Sequence, residues 1–311
     1  MSPRSSRTPA LNWTVADIPD LAGRTAVVTG AASGLGLAVT RELAARGALV
    51  VLAARDTAKA ERVRARLPRG AGQALVLELD LFDLASVHRF ADALHDRLPS
   101  LDLLVANAAA SNQPARLSAE GVEVQFATNH LGHFALTGRL SELLERGRDP
   151  RVVSVVSALY PRGTLELERL GATAGYSPGR AYIRSKLANV LFARELQRRL
   201  HASGSPVRSF AAHPGMARTP LHDTYPSPVV RALTRTVAAL IGREPEHAAA
   251  PILYAATAPD ASPATVYGPT GPKAHPRIRP EPFTGPGADD DAARALWAAS
   301  ERLTGLALPS R

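Results

Sequence analysis

Tyr182 and Lys186 are four residues apart in a segment of strongly helical composition, AYIRSKLANVLFAREL. Residues with this spacing share one face of an α-helix. A tyrosine hydroxyl ordinarily titrates near pH ~10, and a neighbouring ammonium group lowers that pKa because it stabilises the phenolate. Such a phenol is a suitable general acid or base. The pair therefore predicts proton transfer, and the structural alternative is a half-buried tyrosine beside an exposed lysine.

A glycine-rich turn is the second feature with chemical potential. Gly30 ends the apolar stretch RTAVVTG, and Gly34 and Gly36 precede the helical stretch LAVTRELAARG. Ser33 and Leu35 lie in the same turn. Glycines let the backbone approach a pyrophosphate, and the N-terminus of the following helix offers N–H donors to it. We expect these five residues to bind a dinucleotide, although a plain tight turn also uses glycine.

The end of the second predicted strand, Ala53-Ala54-Arg55-Asp56, bears on which dinucleotide binds. An acidic side chain there holds the ribose 2′-OH of NAD, whereas a basic one holds the 2′-phosphate of NADP. Arg55 therefore favours NADPH/NADP+ over NADH/NAD+, because a guanidinium can pair with a phosphate through two hydrogen bonds. Asp56 either caps the next helix or pairs with Arg55.

Three motifs together resemble those of the short-chain dehydrogenase/reductase family. The turn reads TGAASGLG, like the family's TGxxxGxG, and YIRSK matches its YxxSK. The segment NHLGHF is similar to that of the retinol-dehydrogenase-like, protochlorophyllide-reductase-like group. The resemblance spans about residues 15–305. It implies an NADP(H)-dependent oxidoreductase that interconverts a hydrophobic ketone or aldehyde and its alcohol by hydride transfer.

The resemblance also implies four catalytic residues. Tyr182 would protonate the substrate oxygen, while Lys186 would lower the pKa of the tyrosine and hold the nicotinamide ribose. Ser157 would hydrogen-bond the substrate carbonyl, and Asn129 would relay protons from solvent. Ser154 is the rival serine, but strand alternation and the match of RVVSVVS to the family's strand-end pattern favour Ser157.

Further cofactor contacts follow from the same resemblance, in addition to Tyr182 and Lys186. They lie in three segments: Asp80 and Leu81; Asn107 and Ala108; and Pro214, Gly215 and Thr219. The first segment would border the adenine. The second stands in the family's NNAG element, which reads ANAA here, and the third would close over the nicotinamide.

These residues require a scaffold that alternates strands and helices. Short apolar segments, which are typical of strands buried on both faces, alternate with segments of helical periodicity. The predicted strands cover residues 24–30, 48–53, 74–79, 101–106, 151–157, 207–212 and 264–267. The predicted helices cover residues 35–46, 57–67, 84–98, 118–146 and 181–201. The pattern predicts an α/β protein with a single-domain Rossmann fold, a doubly wound parallel sheet of about seven strands flanked by helices.

The domain organisation follows from this pattern. Residues 1–11 are predicted to be a mobile tail and residues 12–305 the dinucleotide-binding domain. Substrate choice is expected to depend on the insert 158–180 and on a lid over residues 220–243. The Pro/Gly-rich segment 268–287 argues against a helix or a central strand. After it, three successive aspartates indicate the start of a C-terminal helix rather than a metal site.

Composition excludes several other classes of protein. Lys and Arg number 37 against 28 Asp and Glu, a net charge of +9, but the arginines are scattered and predict no nucleic-acid surface. The absence of cysteine excludes disulfides, thiolate metal sites and a cysteine nucleophile. No apolar run approaches the ~18 residues of a membrane span, and no secretory signal is recognisable, so a cytoplasmic location is expected. The HxxH pair His130 and His133 lacks a third metal ligand nearby.

The expected partner is a small hydrophobic carbonyl or alcohol substrate. The resemblance also implies a homodimer or homotetramer formed through helices 118–146 and 181–201. Two other functions stay open at this point: a catalytically idle, regulatory dinucleotide-binding protein, and a membrane-surface or nucleic-acid binding protein that uses the positive charge.

Overall fold

A computed structural model describes residues 9–68, 72–218 and 242–307 of the chain. Within these ranges eight strands form one sheet. They are β1 (Thr25–Thr29), β2 (Leu49–Ala54), β3 (Ala74–Glu78), β4 (Leu103–Ala106), β5 (Arg151–Val155), β6 (Arg208–Ala212), β7 (Val266–Thr270) and β8 (Arg277–Glu281).

The strand order is β3-β2-β1-β4-β5-β6-β7-β8, and every pairing up to β6·β7 is parallel. The chain reverses its direction of progress across the sheet between β1 and β4. A crevice forms outside the carboxyl ends of the strands at such a switch point, and ligands bind there in open α/β sheets. The predicted Rossmann fold is confirmed.

Helices cover both faces of the sheet. They are α1 (Gly34–Ala45), α2 (Thr57–Arg64), α3 (Leu84–His95), α4 (Val124–Phe126), α5 (Gly132–Arg139), α6 (Ser141–Glu145), α7 (Pro178–Ala202), α8 (Pro245–Ala248), α9 (Ala250–Thr257) and α10 (Asp290–Thr304). Asp56 caps α2 by accepting the backbone N–H of Lys59 at 2.8 Å, which decides between its two predicted roles. Asp289 caps α10, so the aspartates do begin a helix there.

The single helix predicted over residues 118–146 is wrong. Helical structure begins only at Val124 and passes through a π-helical turn, Ala127–Leu131, before α5. A further break at Leu140 separates α5 from α6. Hydrophobic periodicity did not reveal the π turn or the break at Leu140. The helical segments before and after the π turn both bury apolar side chains, so the apolar pattern looks continuous. π turns inside helices are frequent at functional sites.

The Pro/Gly-rich segment contains more strand than the sequence predicts. β8 is antiparallel to β7, and it accommodates Pro280 because it lies at the edge of the sheet. The exclusion of a central strand is wrong for Gly268–Thr270, which belong to β7, although β6 pairs only with the two preceding residues of that strand. Ile278 of β8 also exchanges two backbone hydrogen bonds with Leu11, at 2.7 and 3.2 Å, so the predicted mobile tail ends in a fixed residue.

α10 packs along α7 and contributes the buried Trp297 to the core. The indole ring stacks on Phe192 of α7 and meets Phe134 of α5 edge-on. α10 therefore covers faces of the helices through which the resemblance implies dimer contacts. Among residues 9–68, 72–218 and 242–307 no helix has the length and apolarity that crossing a bilayer requires.

Candidate active site

The glycine turn follows β1 directly and has the shape that a phosphate site needs. Gly30 and Gly34 adopt φ values of +66° and +52°, in the left-handed region that favours glycine. A Cβ on Gly36 would lie 2.3 Å from the carbonyl oxygen of Gly30, so only glycine permits this approach of α1 to the turn. Ser33, the N-cap of α1, makes no side-chain capping hydrogen bond. The N-terminus of α1 thus keeps N–H donors available for an anion.

One groove of about 520 Å³ runs from this turn across the switch point. It is lined by all ten residues that the sequence predicts for the nucleotide half of the site: Gly30, Ser33, Gly34, Leu35, Gly36, Arg55, Asp80, Leu81, Asn107 and Ala108. The groove volume, the glycine turn and the uncapped helix N-terminus fit a dinucleotide.

Three basic side chains line the same groove, and only Arg55 was predicted. Lys59 lies in the first turn of α2, and Arg116 places its guanidinium 4.2 Å from the centroid of the Phe82 ring. All three are exposed, and none forms an ion pair with any residue that the structure describes. The carboxylate of Asp56 is engaged in capping α2, so it does not pair with Arg55. The groove therefore offers unpaired cations to phosphate groups.

Thr29, at the end of β1, organises the floor of the groove and was not predicted. Its hydroxyl oxygen accepts the backbone N–H groups of Asn107 and Ala108, both at 2.9 Å. The Asn107 side chain donates to the Thr29 carbonyl at 2.8 Å. These bonds fix the loop after β4 against β1.

His133 connects Thr29 to the π turn. Its Nδ1 donates to the Asn129 carbonyl at 2.9 Å, and its Nε2 lies 2.9 Å from the Thr29 hydroxyl. Since Nδ1 carries the proton, Nε2 of a neutral ring accepts from that hydroxyl. Burial lowers the pKa of His133 to about 4, which keeps the ring neutral at physiological pH. The sequence pattern indicated His133 only as a candidate metal ligand.

His130 lies on the other side of the π turn. Its Nε2 bonds the Ser300 hydroxyl of α10 at 2.8 Å, and burial lowers its pKa to about 3. His133 therefore hydrogen-bonds to β1 and His130 to α10, so the two side chains point to different elements. Residues 9–68, 72–218 and 242–307 contain no group of three or more metal-ligating side chains.

The side chain of Asn129 joins the loop after β4 to α7. Its Oδ1 accepts the N–H of Ala110 at 2.7 Å, and its Nδ2 donates to the carbonyl of Ala110 and to the Ser185 hydroxyl, both at 2.9 Å. Ser185 in turn donates to the carbonyl of Tyr182 at 2.8 Å. This geometry positions α7, which carries the predicted proton donor.

Tyr182 and Lys186 occupy one side of α7, as predicted. The Lys186 Nζ lies 5.8 Å from the centroid of the Tyr182 ring and donates to the carbonyl of Val155, at the end of β5, at 2.9 Å. Lys186 is 2% exposed, and its burial lowers its pKa to about 8. Tyr182 is half-buried. The pair therefore places a cation beside a phenol at the carboxyl edge of the sheet.

Ser157 follows β5 by two residues and is half-buried, with its Oγ accepting the N–H of Leu159 at 3.2 Å. The rival Ser154 lies inside β5 and is 2% exposed. Ser157 alone of the two is accessible to a ligand at the strand end. Since β5 pairs with β6, Ser157 neighbours the turn that follows β6.

That turn contains Pro214 and Gly215. Gly215 has a φ of +67° and donates its N–H to Nδ1 of His213 at 3.1 Å. Arg243 donates its backbone N–H to the carbonyl of Met216 at 2.9 Å, so Arg243 lies beside this turn. Thr219 and the predicted lid from residue 220 to 241 lie outside the described residues.

Two exposed apolar side chains flank the strand ends that carry these residues. Leu159 is 40% exposed after β5 and Met216 is 41% exposed after β6. Both side chains lie close in sequence to predicted site residues, Leu159 to Ser157 and Met216 to Gly215.

Comparison with known proteins agrees with this geometry. A family model described as short chain dehydrogenase matches residues 24–228. Retinol dehydrogenase 14 of Mus musculus is 38% identical over 297 residues, covering 91% of this chain and 86% of that protein. Polyprenol dehydrogenase of Mus musculus is 38% identical over 294 residues, covering 93% and 86%. The crystal structure of an uncharacterized protein from Mycobacterium paratuberculosis has a TM-score of 0.79 at 42% identity and covers 96% of this chain and 99% of that one.

Proposed function

The chain belongs to the short-chain dehydrogenase family and is an oxidoreductase, and from this premise we propose that it uses NADP(H) to interconvert a hydrophobic ketone or aldehyde and its alcohol. The observation that carries the proposal is the groove at the switch point. Its lining includes the predicted nucleotide-binding residues and Ala110, which Asn129 joins to Ser185 of α7, the helix of Tyr182 and Lys186. Lys186 in turn donates to Val155, two residues before Ser157.

The four predicted catalytic residues have distinct parts in this reaction. The bound dinucleotide supplies the hydride, and the protein supplies orientation and the proton. Ser157 donates a hydrogen bond to the substrate oxygen, and Tyr182 transfers its proton to that oxygen. Lys186, held by the Val155 carbonyl, stabilises the phenolate and offers its ammonium to the nicotinamide ribose. Asn129 acts as a positioning residue, because its amide joins Ala110 to Ser185.

The preference for NADP(H) rests on the cations of the groove. Arg55 follows the end of β2, where the ribose edge of a dinucleotide lies in this fold. Lys59 lines the same groove and provides a second unpaired positive charge. A phosphate between them would gain charge-assisted hydrogen bonds, whereas a bare hydroxyl would gain much less.

The hydrophobic substrate class rests on two separate arguments. Leu159 and Met216 expose apolar surface beside Ser157 and the Pro214-Gly215 turn. In addition, two relatives of similar length are named for retinol and polyprenol, both long apolar alcohols. We therefore propose a substrate with an extended apolar chain.

A titration of the purified protein with NADPH and, in parallel, NADH tests the cofactor assignment. We expect NADPH to bind more tightly and Arg55→Ala to weaken NADPH binding at least ten-fold, about 1.4 kcal/mol, while NADH binding stays unchanged. Arg62→Ala removes an equally exposed arginine from α2 outside the groove and serves as the control. Equal affinity of the wild type for the two nucleotides would contradict the NADP(H) assignment.

A further inference from the structure

A second cavity, of about 190 Å³, lies between the insert that follows Ser157 and the start of α7. Four arginines line it: Arg162, Arg169, Arg180 and Arg184. Glu166 is the one acidic residue among its described lining residues. This concentration of positive charge has no part in the reaction proposed above, because Arg180 and Arg184 lie about half a helical turn away from Tyr182 around α7.

Three of these arginines have no partner within residues 9–68, 72–218 and 242–307. Arg162, Arg169 and Arg180 are exposed, and none forms an ion pair or a side-chain hydrogen bond with the residues described. Like charges gathered in one concavity repel one another and raise the local concentration of anions. An anion is therefore the ligand that this arrangement attracts.

The N-terminus of α7 opens into the same cavity. α7 is 25 residues long, Pro178 occupies its first position, and its N-cap Ser177 makes no side-chain capping hydrogen bond. Ser177 and Arg180 both line the cavity. The uncapped first turn adds N–H donors and the positive end of the helix dipole to the arginine side chains.

Arg184 provides an independent sign of a missing ligand. It lines the cavity, is only 8% exposed, and its buried Nε has no hydrogen-bond partner among the residues that the structure describes. Its one ion-pair partner, Glu123 at 3.3 Å, also accepts the N–H groups of Gln125 and Phe126 and the hydroxyl of Tyr176. Native proteins rarely leave a buried donor without a partner, and an ion or a water is one of the partners that such a donor takes.

We propose that this cavity is a binding site for a phosphate-type oxyanion, separate from the dinucleotide groove. Arg162, Arg169 and Arg180 would contact the anion from the solvent side, and Arg184 with the first turn of α7 would contact it from within. The ligand is either a free phosphate compound or the headgroup of an anionic lipid, since both present the same oxygen atoms to arginine. Binding would fix the insert against the helix that carries Tyr182.

Calorimetric titration with inorganic phosphate at constant ionic strength tests this site. The titration uses the full chain with Arg55→Ala, Lys59→Ala and Arg116→Ala, which removes the three basic side chains of the dinucleotide groove. We expect one phosphate to bind, and the additional triple change Arg162→Ala, Arg169→Ala and Arg180→Ala to weaken it at least ten-fold. Arg184→Lys, which keeps the charge beside Glu123 but removes Nε, should weaken it as well.

A control triple variant replaces Arg89, Arg97 and Arg302, three exposed arginines outside the cavity, with alanine. Equal weakening by both triple variants would reduce the site to an adventitious ion only, and absence of binding would overturn the proposal. Co-sedimentation with phosphatidylcholine vesicles that contain phosphatidic acid distinguishes a lipid headgroup from a free phosphate compound as the ligand. Vesicle binding that depends on the cavity arginines assigns a lipid headgroup, whereas phosphate binding without vesicle binding assigns a free compound.

Discussion

Residues at the end of β5 offer a direct test of which side chain meets the substrate. Ser157 is half-buried beyond the strand, whereas Ser154 is enclosed within it. We expect Ser157→Ala to lower kcat/KM for carbonyl reduction by about 10²-fold, the loss of a hydrogen bond to developing negative charge. Ser154→Ala should leave kcat/KM unchanged, and steady-state kinetics of both variants measure the contrast. Loss of activity in the Ser154 variant alone would reverse the assignment.

We expect dinucleotide affinity to decrease with rising pH because of Lys186. Its pKa is lowered to about 8 by burial, so the ammonium loses its proton as pH rises through that value. We expect dinucleotide affinity to fall by up to about ten-fold per pH unit above pH 8, because the ribose loses a charged donor. Binding titrations between pH 7 and pH 9.5 measure this.

Lys186→Arg is the matched control for that series, because a guanidinium remains charged over the whole range. Its affinity should not change between pH 7 and pH 9.5. A flat profile in the wild type would show that the charge of Lys186 does not contribute to dinucleotide binding.

Most residues of the candidate site were predictable from the sequence, and the exceptions have a common physical cause. The glycine-rich turn before α1 and the YxxSK motif are short local patterns, and they predicted the phosphate site and the proton donor. Thr29 and His133 act through bonds to residues 78 and 104 positions distant, respectively, and no local pattern reports such a contact. Lys59 had a detectable signal, since it lies four residues after Arg55 at the start of a predicted helix.

At the scale of elements, the π turn between α4 and α5 is the junction of the site. Asn129 ties this turn to α7, and His133 ties it to β1. His130 ties it to α10. Apolar periodicity predicted a helix here but cannot distinguish a π turn from an α-helical one.

The buried histidines of this junction make stability depend on pH. Their folded pKa values, about 3 and about 4, lie below the ordinary value of 6.5, so the unfolded chain binds protons that the folded chain excludes. The free energy of unfolding should therefore fall as pH drops below 6.5, by about 2 kcal/mol per histidine between pH 7 and pH 5. Urea unfolding at the two pH values measures the loss.

His133→Gln retains a donor and an acceptor but does not titrate, so it serves as the control for that experiment. Its stability should fall by about 2 kcal/mol less than that of the wild type between the two pH values. An equal fall in both proteins would assign the acid sensitivity to other groups.

At the scale of the whole molecule, the alternation of strands and helices predicted the sheet and its switch point, but not its last edge. β8 carries two arginines, a proline and a single buried apolar residue, Ile278, so its sequence lacks the apolar run of a central strand. Its position depends on pairing with β7 and Leu11, which are distant in sequence. Long-range pairing of this kind leaves little signal in local composition.

α10 also limits which surfaces of the protein are available for a homodimer. Trp297 packs against Phe134 and Phe192, and Arg199 lies 4.4 Å from the centroid of the indole ring. A homodimer through these faces of α5 and α7 would have to displace α10 and expose its aromatic core. Any oligomer that keeps α10 in place must therefore use another surface.

Turnover of a carbonyl by NADPH is the decisive test of the proposed reductase, because it requires the groove, the strand ends and α7 to act together. The measurement is NADPH oxidation by a series of long-chain aldehydes and ketones, with wild type and Tyr182→Phe compared at equal NADPH saturation. We predict turnover by the wild type and a loss of at least about 10²-fold in the variant, with NADPH affinity retained. Equal rates in the two proteins would contradict the role of Tyr182 as proton donor. NADPH binding without turnover of any carbonyl in the series would contradict the proposed reductase activity.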